Sequence, residues 1–313
     1  MSGASLIRNA SSIRGNRPVL PFLAVATGIA TFSVMDAAMK SASIDAGVYN
    51  AMLLRAAIGT VIMAPVWLLA GGNWPGYATL RLHALRSFAV ACMAMLFFWA
   101  LVRMPMAEAM ALSFIAPLIA LYLAAVILGE RIRPAAIAAS LCGLGGVIVI
   151  ASARFGEEGS FAASGPAILA VLGSAVFYAW NLILQKQQAL VARPTEVALF
   201  QNMFVGLLLL PAAPWLAAVP TPDTIGDIAV AAALASISLM LLSWGYGRAE
   251  AQALVPLEYS GFIWAALAGW IWFGEAVNAA TLAGTVLIVI GCVVGTRRQR
   301  PEGIAPQQAP SVP

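Results

Sequence analysis

Ten apolar runs, each about 20 residues long, take up nearly the whole chain, and no water-soluble fold can bury that many. They lie at roughly 20–40, 48–70, 84–103, 107–127, 134–152, 165–187, 197–217, 227–247, 251–273 and 279–296. A helix of about 20 residues crosses a hydrocarbon layer of about 30 Å, and the breaks between runs carry Pro, Gly or charge, as in GGNWPG at 71–76 and RIRP at 131–134. The 313 residues are 62% hydrophobic and only 10% charged, against about 25% charged in a soluble domain. A disordered chain and a nucleic-acid module are excluded on the same grounds. The expectation is an all-α membrane protein of ten transmembrane helices, with the lipid bilayer as its solvent.

Few residues suited to covalent chemistry remain. Cys92, Cys142 and Cys292 fall inside apolar runs without CxxC spacing and read as small core residues, and His83 is placed in a polar loop. No His/Cys cluster supports a metal, no Gly-rich phosphate loop precedes a helix, and no Ser/His/Asp set assembles. Neither an enzyme nor an ATP-driven pump is expected, and no cofactor.

Charge placement sets the topology. Thirteen basic residues fall on one side: Arg8, Arg14, Arg17, Arg81, Arg86, Arg131, Arg133, Lys186, Arg193, Arg248, Arg297, Arg298 and Arg300. Lys40, Arg103 and Arg154 fall on the other, and Arg55 lies inside a helix. By the positive-inside rule both termini are cytoplasmic, which suits a multi-pass protein of the cell inner membrane. The first run follows three arginines but is too long for a signal-peptide core and ends in Asp36 and Lys40, so it reads as a retained helix. Residues 1–18 and 297–313, rich in Ser, Pro and Gln, read as disordered cytoplasmic tails.

The two halves of the chain repeat. LAV at 23–25 matches LAV at 169–171, the same offset of 146 brings Lys40 onto Lys186, and GE at 129–130 matches GE at 274–275 at an offset of 145. Gly59 matches Gly206 at 147. Five helices per half put the second copy in the membrane upside down, so residues 19–152 and 165–296 are expected to be inverted five-helix repeats. Such mirrored halves supply two nearly equivalent states, open to either side.

The MDAAMK run at the end of helix one, Arg55 in helix two, AP at 116–117 followed by GE at 129–130, and PLEYSGFIWAALAGWIWFGE at 256–275 resemble the EamA-type branch of the drug/metabolite transporter superfamily. The likeness covers about 20–296. It implies a carrier of small organic metabolites such as amino acids, vitamins or nucleotide-like compounds, with a cavity between the halves. Helix nine departs from the pattern: Phe262 stands where Pro117 would align, and Pro256 sits earlier, which moves the expected helix break toward the cytoplasm.

Ionisable groups in lipid are costly, so each needs a partner or a watery cavity. Asp36 and Lys40 share a helical face at i,i+4 spacing. Asp36 and Arg55 lie at matching depths, about 7 and 10 Å from the outer ends of their helices, and a contact between them could form an outer gate; a permanent ion pair, or Lys40 reaching to the interface alone, is the structural alternative. Glu258, near the bilayer centre, could take up a proton or a cationic group, or simply be hydrogen-bonded within the bundle. Tyr178, Asn181 and Gln185 recur at spacings of three and four on one face, with Trp180 beside them. Gln201, Asn202, Tyr259 and Trp264 could likewise hydrogen-bond to or stack on a solute, or bridge helices and anchor at the interface. Glu108, Glu130, Glu250 and Glu275 sit at expected helix ends and read as capping or topological residues. Ala135, Ala139 and Gly143, with Gly291 and Gly295, read as close helix packing.

The leading function is therefore a secondary carrier for a small organic solute, working by alternating access as a monomer or homodimer, with protons as a candidate coupling ion. Broad multidrug efflux is the alternative within transport; a membrane-embedded enzyme or lipid-handling protein lacks a catalytic set, and a channel lacks a repeated pore loop or charged ring.

Overall fold

A computed structural model describes residues 19–116, 118–120, 122–123, 134–158, 161–248, 254 and 257–297. Regular structure among them is entirely helical. Ten helical segments follow in chain order: α1 (Val19–Ala46), α2 (Val48–Leu69), α3 (Tyr77–Leu101), α4 (Met106–Ser113), α5 (Pro134–Glu158), α6 (Phe161–Val191), α7 (Pro194–Leu209), α8 (Pro222–Tyr246), α9 (Gly261–Phe273) and α10 (Ala279–Arg297). A 3-10 turn and a last helical turn carry α7 on to Leu216. Gly47, at φ 81°, supplies the left-handed residue that reverses the chain between α1 and α2 without a loop.

Ten helical segments stand where ten spans were expected. Among the described residues six helices are long and apolar enough to cross a membrane, with further apolar helical stretches at Met106–Ala120, Leu141–Ala153, Gly261–Phe273 and Ala279–Gly291. The shortest pair, α4 and α9, owe their length to breaks in the backbone. In the first half, the Phe114 and Ile115 amides bond three residues back to Ala111 and Leu112; in the second, Ser260 and Phe262 bond three residues back to Leu257 and Tyr259. The two breaks are 145 residues apart, the offset of the GE pair, so they fall at equivalent places in the two halves. Pro117 and Pro256, on which the sequence reading turned, lie outside the described residues.

Packing obeys the same symmetry. If α1 to α5 correspond to α6 to α10, the contact of α1 with α8 must be matched by one of α6 with α3, and both are extensive. Three pairs map onto themselves, α2 with α7, α4 with α9 and α5 with α10, and all three are in contact. The α5–α10 crossing is close because Gly146 and Gly284 face each other: a Cβ on Gly146 would stand 2.5 Å from the Gly284 carbonyl oxygen. A Cβ on Gly143 would come within 2.3 Å of Leu118 Cδ1, so this member of the small-residue ladder is closely packed as expected, while the side chains of Ala135 and Ala139 lie outside the described set.

The core runs through the middle of the bundle, built from Met35, Met39, Met52, Leu101, Leu112 and Ile228 among others. Large apolar side chains such as Val61, Leu69, Leu208, Trp270 and Ile271 point outward, a surface that suits lipid. The start of α1 and the end of α10 share one face of the bundle, here the near face; the far face carries the α1–α2 turn and the end of α9.

Candidate functional site: a central cavity between two polar clusters

Between the halves lies a cavity of about 200 Å³. Its wall is mostly apolar, with Phe32, Met93, Phe97 and Phe98 prominent, and into it are set a few polar groups, the usual build of a small-molecule site. Of the residues singled out from sequence, Asp36, Arg55, Tyr178, Asn181, Gln185, Gln201, Glu258 and Tyr259 all line it.

The other four do not. Asn202 is buried between helices, donating to the Ala198 carbonyl at 2.9 Å and to Ser236 Oγ at 3.4 Å, in the notch left by Gly59. Trp264 is 41% exposed on the outside, and Trp180 is half-buried away from the cavity. Lys40 is tied up on the far face.

Asp36 and Arg55 face the cavity from neighbouring helices, yet they form no ion pair within 4.0 Å. They interact only through space. Arg55 Nη2 approaches Met52 Sδ at 3.8 Å, while Arg55 Nε, Gln201 Oε1 and Ser33 Oγ, all from cavity-lining residues, are buried without a hydrogen-bond partner. Glu258 sits at the helix break before α9, where it accepts hydrogen bonds from the Tyr178 hydroxyl at 3.1 Å and from the Tyr246 hydroxyl. Phe114 and Tyr259, one from each break, meet edge to face with ring centres 5.2 Å apart.

Lys40 pairs instead with Glu275. Its ammonium contacts Glu275 Oε1, donates to the Met104 carbonyl at 2.9 Å, and lies 4.9 Å from the centre of the Phe273 ring. Glu275 Oε2 accepts from the Met106 amide at 2.7 Å. Local sequence explains the placement: Gly274 adopts φ 65° and ends α9, so the chain folds back, and Gly269 leaves room where a Cβ would come within 2.6 Å of Glu275 Oε2. Glu275 therefore links the two halves on the far face, where the sequence reading expected only a solvated helix end. Glu108 departs from that expectation too: it is buried near Asn278 and Thr281. Glu130 and Glu250 lie outside the described residues.

On the near face the structure overturns one reading and extends another. His83 is not in a loop: α3 begins at Tyr77, and the imidazole is fully buried, stacked on Phe200 with ring centres 5.1 Å apart. Arg86, counted from sequence among the charges of the basic side, lies well inside α3, 3% exposed, on the cavity wall. Its Nε donates to Asn181 Oδ1 at 2.9 Å, Nη1 to Gln188 Oε1, and Nη2 to Gln185 Oε1 at 3.4 Å. Because the Gln188 oxygen faces a donor, its amide nitrogen must face His83 Nδ1, which therefore accepts; His83 Nε2 then carries the hydrogen and donates to Glu196 Oε1 at 3.0 Å. A continuous chain of side chains runs from the cavity to Glu196, which borders a small cleft on the near face with Trp67, Asn73 and Arg193. Among the described residues no group of three His, Cys, Asp or Glu could hold a metal ion.

A helical bundle with a mostly apolar chamber, set with a few polar groups, between two inverted units is the build of a small-molecule carrier. The chain belongs to the EamA-like transporter family, whose model matches residues 20–152 and again 165–296. It is 28% identical over 275 residues to the pseudopaline exporter CntI of Pseudomonas aeruginosa, covering 86% of this chain and 93% of the relative. It is also 28% identical to the aromatic amino acid exporter YddG of Ancylobacter novellus, over 64% of this chain and 70% of the relative, and to a riboflavin transporter of Rhizobium johnstonii, over 60% and 61%. A solved crystal structure superposes with a TM-score of 0.61 at 23% identity, covering 88% of this chain and 96% of that one, a likeness of fold. The protein is thus a multi-pass membrane transporter of small molecules rather than an enzyme.

Proposed function

We propose that the chain is a secondary carrier that exports a small organic metabolite across the cell inner membrane by alternating access. The observation that carries this reading is one cavity walled by both repeats, with Asp36, Arg55 and Arg86 from the first half and Tyr178, Gln201 and Glu258 from the second. Its unpartnered polar atoms are groups that a solute would satisfy. Export follows the printed names of the pseudopaline and aromatic amino acid relatives. The near face is the cytoplasmic one, supported by the basic residues of the loops, tails and helix ends: with the buried Arg86 set aside, twelve stand against three.

The test is counterflow in reconstituted vesicles across a panel of amino acids, vitamins and nucleosides, with and without a pH gradient. Uptake above protein-free vesicles for one solute class supports the reading, and a panel in which nothing moves overturns it. Glu258, clasped by two tyrosine hydroxyls at a break in the helix, is the group we assign to proton coupling. Glu258→Gln should retain counterflow but lose the stimulation by a pH gradient; unchanged stimulation removes this residue from the mechanism.

A further inference from the structure

Within the cavity wall, two cations are treated differently. Arg55 has Asp36 as an electrostatic neighbour. Arg86 makes its three hydrogen bonds only to neutral amide oxygens, all on α6, and among the described residues no carboxylate lies within 4.0 Å of it. Five N–H groups on a guanidinium less three leaves two with no protein acceptor. A charge buried to this degree is costly unless an opposite charge faces it, and amide dipoles orient it without cancelling it.

The surroundings keep it uncancelled. Glu196, the acidic residue at the end of the chain, is held off by Gln188 and the His83 ring, each with its donor and acceptor ends already committed. On the other side, Val90, Met93, Ala94 and Phe97 continue the face of α3 on which Arg86 stands and line the same cavity. The result is an oriented, dehydrated guanidinium at one end of an apolar strip.

We propose that Arg86 receives the carboxylate of the transported solute, with the apolar body of that solute lying along α3, so that the carrier selects organic acids, amino acids included, over their uncharged counterparts. This rests on the carrier reading above. Charge-assisted, two-pronged contacts of this kind separate a carboxylate from its amide by about tenfold or more. Gln188, which touches the guanidinium but does not line the cavity, then acts as a positioning residue.

The experiment is vesicle counterflow with matched probes, L-phenylalanine against L-phenylalaninamide and L-leucine against L-leucinamide, in the full-length protein and in Arg86→Gln and Arg86→Lys. The native protein should prefer each acid about tenfold or more. Arg86→Gln should bring that ratio close to one, chiefly by raising KM for the acid, and Arg86→Lys should restore part of it. Native protein that moves acids and amides equally overturns the inference whether or not the variants fold, and so does an Arg86→Gln protein that keeps the native ratio. Either result leaves the carrier reading standing, whereas counterflow of no solute in the wider panel removes both.

Discussion

The two faces of the bundle are joined across the halves by opposite means. On the far face one ammonium and one carboxylate meet directly, Lys40 from α1 against Glu275 beyond α9, with two backbone groups completing the set. On the near face the link is spread over α3, α6 and the start of α7, and most of its members are uncharged: Arg86, three side-chain amides, His83 and then Glu196. A compact ion pair concentrates its energy in two residues, so it can be lost or made in one step. A distributed chain holds its members in fixed orientation and leaves the Arg86 charge available to the cavity.

The largest effect should come from splitting the ion pair. Lys40→Met or Glu275→Gln alone leaves its partner buried without a counter-charge, at about 3 kcal/mol of stability, while the combined Lys40→Met, Glu275→Met protein should recover most of it. Thermal unfolding in detergent measures both, and additive losses would show that the two side chains are not coupled. His83→Ala should cost about 2–3 kcal/mol through the lost stack on Phe200 and the stranded Gln188 amide. Because no single charge pair carries the near face, a second substitution at Glu196 should add little to it, and a strong further loss would contradict the distributed picture.

A smaller contrast separates the repeats themselves. A Cβ at Gly59 would meet the Asn202 side chain at 2.7 Å, whereas at the equivalent Gly206 it would meet only the Ala56 Cβ at 3.6 Å. Gly59→Ala should therefore cost about 1–2 kcal/mol and Gly206→Ala close to nothing, by the same unfolding measurement. Smallest of all, Trp264→Phe on the outward surface should change transport KM by less than about twofold; a larger shift would bring that ring into the solute path.

The number of apolar segments and the duplication were legible because they are written over hundreds of residues, and the α6 stripe of Tyr178, Asn181 and Gln185 because polar groups at helical spacing stand out in an apolar helix. The near-face cluster was hidden by a boundary. With α3 expected to start at 84, His83 read as a loop residue and Arg86 as a charge at the helix end, and with helix six ending at 187 the next member of its stripe, Gln188, fell outside. The structure extends both helices, and the three meet inside the bundle. Asn202 and Trp264 misled for another reason: in helices apolar on every side, periodicity cannot say which face meets a neighbour, the cavity or lipid. Glu275 carried no signal of burial, since its place depends on the reversed chain at Gly274 and on a lysine 235 residues away.

The contact of Phe114 with Tyr259 differs in kind from the polar links between the halves, because these two rings occupy corresponding positions in the duplicated units. If one working state of the carrier is the other with its units interchanged, swapping the units turns this pair into itself. The rings must then touch in both states, a fixed point about which everything else trades places, while a contact between non-corresponding residues, such as that of Lys40 with Glu275, has to be surrendered each time the cycle turns.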